Sequence, residues 1–215
     1  MERETDLEAV AAGAEPDHRA LVPWEDPELS ALAGFFHTLR EVLFRPGEFF
    51  ANLGREGWAE PLAFGLIASS LGLLGAFFWL VLVRAPAGLS PGWVVALMAG
   101  APVLALANLG MSGICWWGSV ALMGAGRDFI PSWRIFCYAQ AGMALGLIPF
   151  FGMLVAGIWV PALLYCGVKQ VYGLSTGGSL GALAVFLSLQ AALALIFFLG
   201  LAGTLTFLTF LVLLG

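Results

Sequence analysis

The charged residues of this chain are spaced in a pattern that already predicts its main elements. Beyond residue 60, charges are separated by four long windows without any, at 61–83, 85–126, 135–168 and 170–215. A transmembrane helix needs about 20 consecutive apolar residues, so the first window predicts one span. The other three windows are longer than a single crossing requires and need to be divided.

Glycine and proline divide the second and the last window. Residues 85–92 contain two prolines and two glycines, which are typical of a loop, and they leave a long helix at about 93–123. The stretch 175–179 is rich in serine and glycine and predicts another loop. The last helix is then expected at about 183–214.

The third window is divided near its middle. As one helix it would measure roughly 51 Å at about 1.5 Å per residue, which is too long for one crossing. Because Pro149 and Gly152 interrupt it, we expect two short antiparallel helices joined by an apolar tip. The sequence therefore predicts an all-α polytopic membrane domain over 61–215 with five transmembrane helices. They are expected at about 61–83, 93–123, 134–148, 152–168 and 183–214.

The first 60 residues follow different patterns. Residues 1–30 are acidic and show no apolar period, so we expect a disordered tail in which 23–27 form an exposed peptide. Residues 31–56 predict two amphipathic helices, with Pro46 ending the first and beginning the second. We expect this pair to lie in the membrane interface, with Phe49 and Phe50 in the acyl boundary. An amphipathic hairpin packed on cytoplasmic loops is the alternative.

Composition strengthens the membrane prediction. The chain is 60% apolar and only 11% charged, and 18 of its 23 charged residues lie within residues 1–60. Five charges cannot cover the surface of a soluble domain of the remaining size, so a soluble globule is excluded. The net charge is −5 and the tail is acidic, which argues against nucleic acid as a partner. The lipid bilayer is the expected partner.

The lysines and arginines predict the orientation. Near the spans, Arg84 alone lies on one side, whereas six cations lie on the other: Arg40, Arg45, Arg55, Arg127, Arg134 and Lys169. The positive-inside rule then puts the N-terminus in the cytoplasm and the C-terminus outside. In a four-span arrangement, residues 135–168 form one helix. Five cations then lie on one side of the membrane and two on the other, and that helix is too long for one crossing. Since Arg outnumbers Lys eight to one and Ala, Gly and Leu are abundant, we expect a GC-rich prokaryotic source. If the source is bacterial, the expected membrane is the plasma (inner) membrane.

The sequence gives no sign of an enzyme, a metal site or a cofactor. Two stretches, 88–92 and 173–177, match the G-x-S-x-G nucleophile pattern, but the only histidines are His18 and His37, both before the first span. Metal-binding motifs are also missing from the sequence. Three cysteines in apolar segments are interpreted as small buried apolar residues: Cys115, Cys137 and Cys166.

The polar residues inside the predicted spans are neutral. Asn108, Gln140 and Gln190 are interpreted first as hydrogen-bonding links between helices. The sharper alternative is a shared polar pocket for a lipid headgroup or a small solute. Gly142 and Gly146 form a GxxxG pair, which allows close helix packing within one bundle or in a dimer.

The order of these features resembles the Yip family of Ypt/Rab-interacting membrane proteins, and its bacterial branch in particular. The resemblance covers about residues 35–190 and includes the segment 43–53 before the first span. The positions that carry it are Pro46, Tyr138, Pro149, Gly152, Trp159 and Gly167. The resemblance implies five helices, a cytoplasmic N-terminus and homo- or hetero-oligomers, and in eukaryotes contact with small GTPases.

The short N-terminal tail departs from the family pattern, since no GTPase-binding segment can be matched to it. A small GTPase is therefore expected as a partner only if the source is eukaryotic. The leading hypothesis is a non-enzymatic membrane scaffold or adaptor, involved in membrane organisation or trafficking. The alternative is a transporter or channel for lipids or small solutes that uses the neutral polar residues of the spans.

Overall fold

The structure, a computed structural model, describes residues 22–84, 90–125 and 128–214, with side chains for 22–83, 90–125 and 128–199. The described part is all-helical. A 3₁₀ turn, Pro23–Glu25, precedes seven α-helices, and a second 3₁₀ segment, Gln140–Leu147, follows the fifth. The α-helices are α1 Ala31–Phe44, α2 Pro46–Ala51, α3 Ala59–Arg84, α4 Pro91–Leu122, α5 Phe129–Ala139, α6 Gly152–Tyr172 and α7 Thr176–Leu214. The predicted tail up to residue 21 and the loop at 85–89 lie outside the described residues.

Four helices in the described part are long and apolar enough to cross a membrane. They are Ala59–Val83, Pro91–Leu122, Gly152–Tyr172 and Thr176–Leu199. The chain is therefore an integral membrane protein, but the predicted count of five helical spans is not confirmed. The segment predicted as a helix at 134–148 instead combines the end of α5 with the 3₁₀ segment, so no single α-helix there is long enough to span.

The helix α5 lies at the centre of the molecule. Every side chain from Pro131 to Ala139 is buried, and α5 packs against α3, α4 and α6. The 3₁₀ segment continues from α5 and lies between α3 and α6. Helices therefore cover the backbone of this segment on both sides.

Small residues allow this close packing. A Cβ added to Gly65 would lie 2.9 Å from the carbonyl oxygen of Cys137, and one added to Gly72 would overlap the backbone of Met143. On the 3₁₀ segment, an added Cβ at Gly142 would meet Val160 of α6, and one at Gly146 would meet the carbonyl oxygen of Gly72. The GxxxG pair is thus used inside the chain, between the 3₁₀ segment and its neighbours.

The start of α7 corrects the loop predicted at 175–179. The backbone amide of Gly178 donates to Ser175 Oγ at 3.2 Å, and that of Ser179 donates to the Ser175 carbonyl at 2.9 Å. Ser175 is therefore an N-cap, and the glycine-rich residues form the first turn of the helix.

The helix pair α1 and α2 forms as separate helices, but its apolar side chains are not where the interfacial prediction puts them. Phe49 and Phe50 are 7% and 0% exposed, because they pack into the protein core. Their expected place in the acyl boundary is wrong. On α1, Phe35 and Val42 are buried, whereas Leu32, Phe36 and Phe44 are exposed. The rest of the described protein therefore covers only part of the apolar surface of α1.

The peptide at 22–26 is docked on the bundle, which corrects the expectation of an exposed, disordered segment. The backbone amide of Trp24 donates to Thr38 Oγ1 at 2.9 Å, and its indole Nε1 donates to the Glu60 carbonyl at 2.8 Å. A Cβ added to Gly34 would lie 2.6 Å from the carbonyl oxygen of Pro23. The absence of a side chain at Gly34 therefore lets the peptide lie directly on α1.

We predict that Gly72→Ala destabilises the protein by about 1–3 kcal/mol, since a methyl group overlaps the Met143 backbone and the core cannot absorb it without shifting. The matched control is Gly157→Ala on α6, where no atom lies within 4 Å of an added Cβ. Thermal unfolding in detergent should show a lower melting temperature for Gly72→Ala and an equal or higher one for Gly157→Ala, because alanine favours helix. Equal melting temperatures for both variants would contradict the described packing of α3.

Candidate functional site

The structure places the three predicted polar residues in different surroundings. Gln140 is buried between α3 and α5, where Ser69 Oγ donates to its Oε1 at 3.3 Å and its Nε2 donates to the Phe136 carbonyl at 3.4 Å. Asn108 is exposed on α4 and accepts from Ser112 Oγ at 3.0 Å. Gln190 is half-buried on α7, and its Nε2 is buried without a hydrogen-bond partner among the described residues.

No described hydrogen bond joins any two of these three amides. Gln140 links two helices of the same bundle, which matches the interpretation as a structural link. A pocket shared by all three is not among the grooves described below. Asn108 and Gln190 remain candidates for contacts beyond this chain or with water.

The residues that carry the family resemblance lie mainly at packing positions. Pro46 is the first residue of α2, Tyr138 is fully buried on α5, and Pro149 lies in the turn before α6. Gly152 begins α6 directly against the carbonyl of Leu145, and Gly167 faces Ile135 at 2.5 Å from an added Cβ. Trp159 is 38% exposed on α6.

The strongest polar constellation of the described part surrounds Arg134, the charged side chain that the structure buries most completely, at 1% exposed. Its Nη2 donates to Glu25 Oε1 at 2.6 Å, and its Nη1 donates to the carbonyls of Glu56 and Gly57. Tyr138 Oη donates to the same Glu25 oxygen at 2.5 Å, and the guanidinium carbon lies 5.8 Å from the Tyr138 ring centre. Glu25 therefore receives two hydrogen bonds from α5.

Aromatic rings enclose this polar group and shield it from water. Trp24 packs edge-on against Phe35 and Phe64, with ring centres 6.2 Å apart in both pairs. Phe64 and Phe49 each lie 5.2 Å from the ring of Tyr138. The rings come from the N-terminal peptide and from helices α1, α2, α3 and α5, so five segments meet at one point. Hydrogen bonds and ion pairs are stronger in such a low-dielectric environment.

The arrangement connects two distant segments of the chain. The negative charge of Glu25 lies against the positive charge of Arg134. Two of the three guanidinium nitrogens, Nη1 and Nη2, donate to protein oxygens. The third nitrogen, Nε, is buried without a described partner. The cluster fixes the N-terminal peptide to α5.

The structure does not assemble a metal centre from the described residues. Groups of three or more potential metal-ligating side chains are not found in the described part. The three cysteines are free, with Cys137 buried and Cys115 and Cys166 half-buried. They lie on three different helices, α4, α5 and α6.

Two adjoining grooves run along α1 and α2 next to the docked peptide. The smaller, of about 190 Å³, lies between the peptide and the two helices. The larger, of about 510 Å³, is lined by His37, Arg40, Glu41, Phe44 and Arg45. We call these two grooves together with the docked peptide the platform. Its groove walls carry both cations and anions beside an exposed aromatic ring.

The sequence patterns did not single out Glu25 or Arg134. Glu25 was one of many acids in a segment without apolar period, and Arg134 counted only as a cation beside a span. The signal available was the isolation of Arg134 within a stretch that is otherwise uncharged from Phe129 to Gly152. A buried charge requires a partner, and the acidic N-terminal segment is a rich source of carboxylates.

We predict that Glu25→Ala destabilises the protein by about 3–5 kcal/mol, because it leaves the buried Arg134 guanidinium without its carboxylate. The matched control is Glu28→Ala, an exposed acid three residues away. Thermal unfolding in detergent measures both. In a double-mutant cycle with Arg134→Met, the double variant should be less destabilised than the sum of the single variants. Additive effects would contradict a direct pair.

The comparison with protein families agrees with the fold and with these positions. The Yip1 domain family matches residues 40–199, which include Arg134 and Tyr138 but begin after Glu25. Comparisons with curated proteins and with solved structures give no significant match. The match runs from the last five residues of α1 to Leu199 in α7. Since it covers about three quarters of the chain, the protein belongs to the Yip family of membrane proteins.

Proposed function

We propose that the protein is a non-enzymatic integral membrane scaffold or adaptor of the Yip type, which binds partner proteins on the platform. The single observation that carries this proposal is the Arg134–Glu25–Tyr138 cluster. It ties a segment from before the first span to the central helix of the bundle. A rigid, water-facing surface connected to the membrane domain is what an adaptor requires to transmit or hold a contact.

The packing within the bundle also favours this function over transport. Gln140, the most deeply buried of the three predicted amides, is held by Ser69 and by the Phe136 carbonyl. The described grooves lie on the surface and are lined by other residues. The alternative, a lipid or small-solute transporter or channel, is favoured by one observation, the unpartnered Nε2 of Gln190.

The platform is proposed to lie at the cytoplasmic membrane interface, with the docked acidic segment on the water side. The exposed residues Leu32 and Phe36 would contact lipid, whereas the groove that carries Phe44 would face the water beside the headgroups. The preponderance of arginine and lysine on this side supports the cytoplasmic assignment. In a bacterium this membrane is the plasma (inner) membrane.

A fifth crossing is proposed for α5 together with the 3₁₀ segment. At one end of this segment, Trp133 Nε1 donates to the Trp58 carbonyl at 3.2 Å. At the other end, the Leu147 carbonyl accepts from Trp79 Nε1 at 3.0 Å. From residue 58 to residue 79, α3 rises about 30 Å, the thickness of the hydrocarbon core. Since α3 is long enough to cross the membrane over this length, a segment that runs beside it from end to end is expected to cross as well.

The number of crossings predicts the sides of the two termini. With five crossings, a tag at the N-terminus and a tag after Gly215 should be accessible from opposite sides of the membrane. The N-terminal tag should be protected in intact right-side-out cells and the C-terminal tag should be cleaved by external protease. As internal references, cysteine probes at Ser175 and Ser90, both exposed, should react from the cytoplasmic and the outer side respectively. Both tags on one side would indicate four crossings.

The scaffold proposal predicts a partner that depends on the platform. Crosslinking and affinity capture from native membranes should recover a protein that is lost or reduced several-fold in Phe44→Ser. The control is Trp93→Ser, an exposed aromatic residue at the start of α4, outside the platform. Purified protein in liposomes should give no solute or lipid flux above protein-free liposomes. Flux that is abolished by Gln190→Leu or Gln140→Leu would instead establish the transport alternative.

A further inference from the structure

The docked peptide, residues 22–26, is attached to the bundle in the way that a bound ligand is. It contains one 3₁₀ turn, and the hydrogen bonds of Trp24 and Glu25 outside this turn reach residues that lie 14 to 113 positions away in sequence. The segment that follows, 27–30, is exposed, and its described hydrogen bonds are local. Only this short segment would have to move for the peptide to leave the bundle.

The surface under the peptide recognises two neighbouring side chains separately. Arg134 Nη2 and Tyr138 Oη both donate to Glu25 Oε1. The Glu60 carbonyl accepts from the indole Nε1 of Trp24 at 2.8 Å. A carboxylate and an aromatic N–H next to it therefore each have their own partners. We call this surface the socket, and it consists of Thr38, Glu60, Phe64, Arg134 and Tyr138.

The socket belongs mainly to the family domain, whereas its occupant does not. The Yip1 match covers residues 40–199, so it includes every socket residue except Thr38. Trp24 and Glu25 precede the match. The domain therefore builds most of the site, and a segment from outside the domain fills it.

The internal occupant does not use the site fully. The described hydrogen bonds to its carboxylate both end on one oxygen, Glu25 Oε1. Arg134 Nε is buried and has no partner among the described residues. A carboxylate that bridged Nε and Nη2 with both of its oxygens would form the bidentate pair that arginine favours. Another acidic segment thus has a donor to gain that residues 22–26 leave unused.

The pair of Glu25 and Arg134 can be approached from the side of the peptide. The side chain of Glu25 is 17% exposed, whereas that of Arg134 is 2% exposed. The groove of about 190 Å³ opens beside Val22 and Pro23, between the peptide and helices α1 and α2. An incoming carboxylate can therefore replace Glu25 as it leaves, and this exchange avoids the cost of an unpaired buried guanidinium.

We propose that the socket binds a short acidic segment of a partner protein, in which a carboxylate follows an aromatic residue, and that residues 22–26 are its exchangeable internal occupant. The internal peptide is covalently attached, so it competes at an effective concentration of roughly millimolar. A partner displaces it by binding the socket more tightly or by being held beside it on the platform. Without such a partner the peptide stays docked. This inference rests on the proposed scaffold function and names the chemistry of one partner.

The first experiment measures binding of a synthetic peptide with the sequence of residues 22–27, labelled with a fluorophore, to the full chain in detergent. A chain with Trp24→Ser and Glu25→Gln, whose internal occupant is weakened, should bind the peptide and melt at a higher temperature when the peptide is added. The unchanged chain should bind it roughly 10-fold more weakly or worse, because its own peptide competes. The same peptide carrying Glu25→Gln should also bind the variant chain roughly 10-fold more weakly or worse, because a charged hydrogen-bond acceptor is lost.

A hydroxyl deletion locates the binding site. Added to the variant chain, Tyr138→Phe should weaken peptide binding roughly 10-fold, because it removes one of the two donors to the carboxylate. The matched control is Tyr172→Phe, which loses a hydroxyl that pairs with Ser132 outside the socket and should leave peptide binding unchanged.

A second experiment keeps Trp24 and Glu25 in place and so does not depend on a destabilised variant. Val22 is 6% exposed in the docked peptide. In a Val22→Cys chain, a maleimide should modify position 22 slowly, and unlabelled peptide should accelerate this modification several-fold by displacing the internal occupant. Mass spectrometry separates the modification at position 22 from that of the native cysteines. The peptide carrying Glu25→Gln should not accelerate it.

The outcomes separate this proposal from the scaffold function. Equal binding of the two peptides, or unchanged binding after Tyr138→Phe, would overturn the socket as a site for acidic segments. An unchanged rate of modification at position 22 would overturn the exchange of the internal occupant. Capture of a platform partner is a separate readout, because Phe44 lies outside the socket. Failure of that capture from a chain that still binds the peptide in the socket would overturn the platform as a binding surface and leave the socket in place.

Discussion

Burial of the Arg134 guanidinium is the constraint on which the described structure depends. A charge removed from water is costly unless oxygen atoms surround it, and α5 is enclosed by apolar helices that offer almost none. The oxygens come from Glu25 and from the turn before α3. The N-terminal peptide is therefore bound because the central helix needs its carboxylate, and Trp24, Thr38 and Gly34 then hold α1 against it.

The small residues of α3 have a second structural consequence. Because glycines face the segment from Cys137 to Leu147, a 3₁₀ segment can lie against α3 over much of its length. Its backbone is covered by α3 and α6, as the proposed fifth crossing would require. The same packing uses the GxxxG pair within the chain.

The platform is formed by α1, α2 and the docked peptide, outside the four helices that are long enough to span. The family match begins at residue 40, so Arg134 belongs to the matched region, whereas Glu25 precedes it. The docked peptide thus precedes the matched region and binds Arg134, a buried residue within that region.

The sequence by itself determined the membrane class, the helical composition and the approximate positions of the span helices, because lipid solubility depends on the local density of apolar and charged residues. It also singled out Gln140 as a polar side chain within the bundle. Only the tertiary structure decided where Phe49 and Phe50 pack, that the end of the predicted third span is a 3₁₀ segment, and that Glu25 pairs with Arg134 across more than 100 residues of chain. A helical period shows which side of a helix is apolar, but whether lipid or protein covers that side depends on distant segments that meet only when the chain folds.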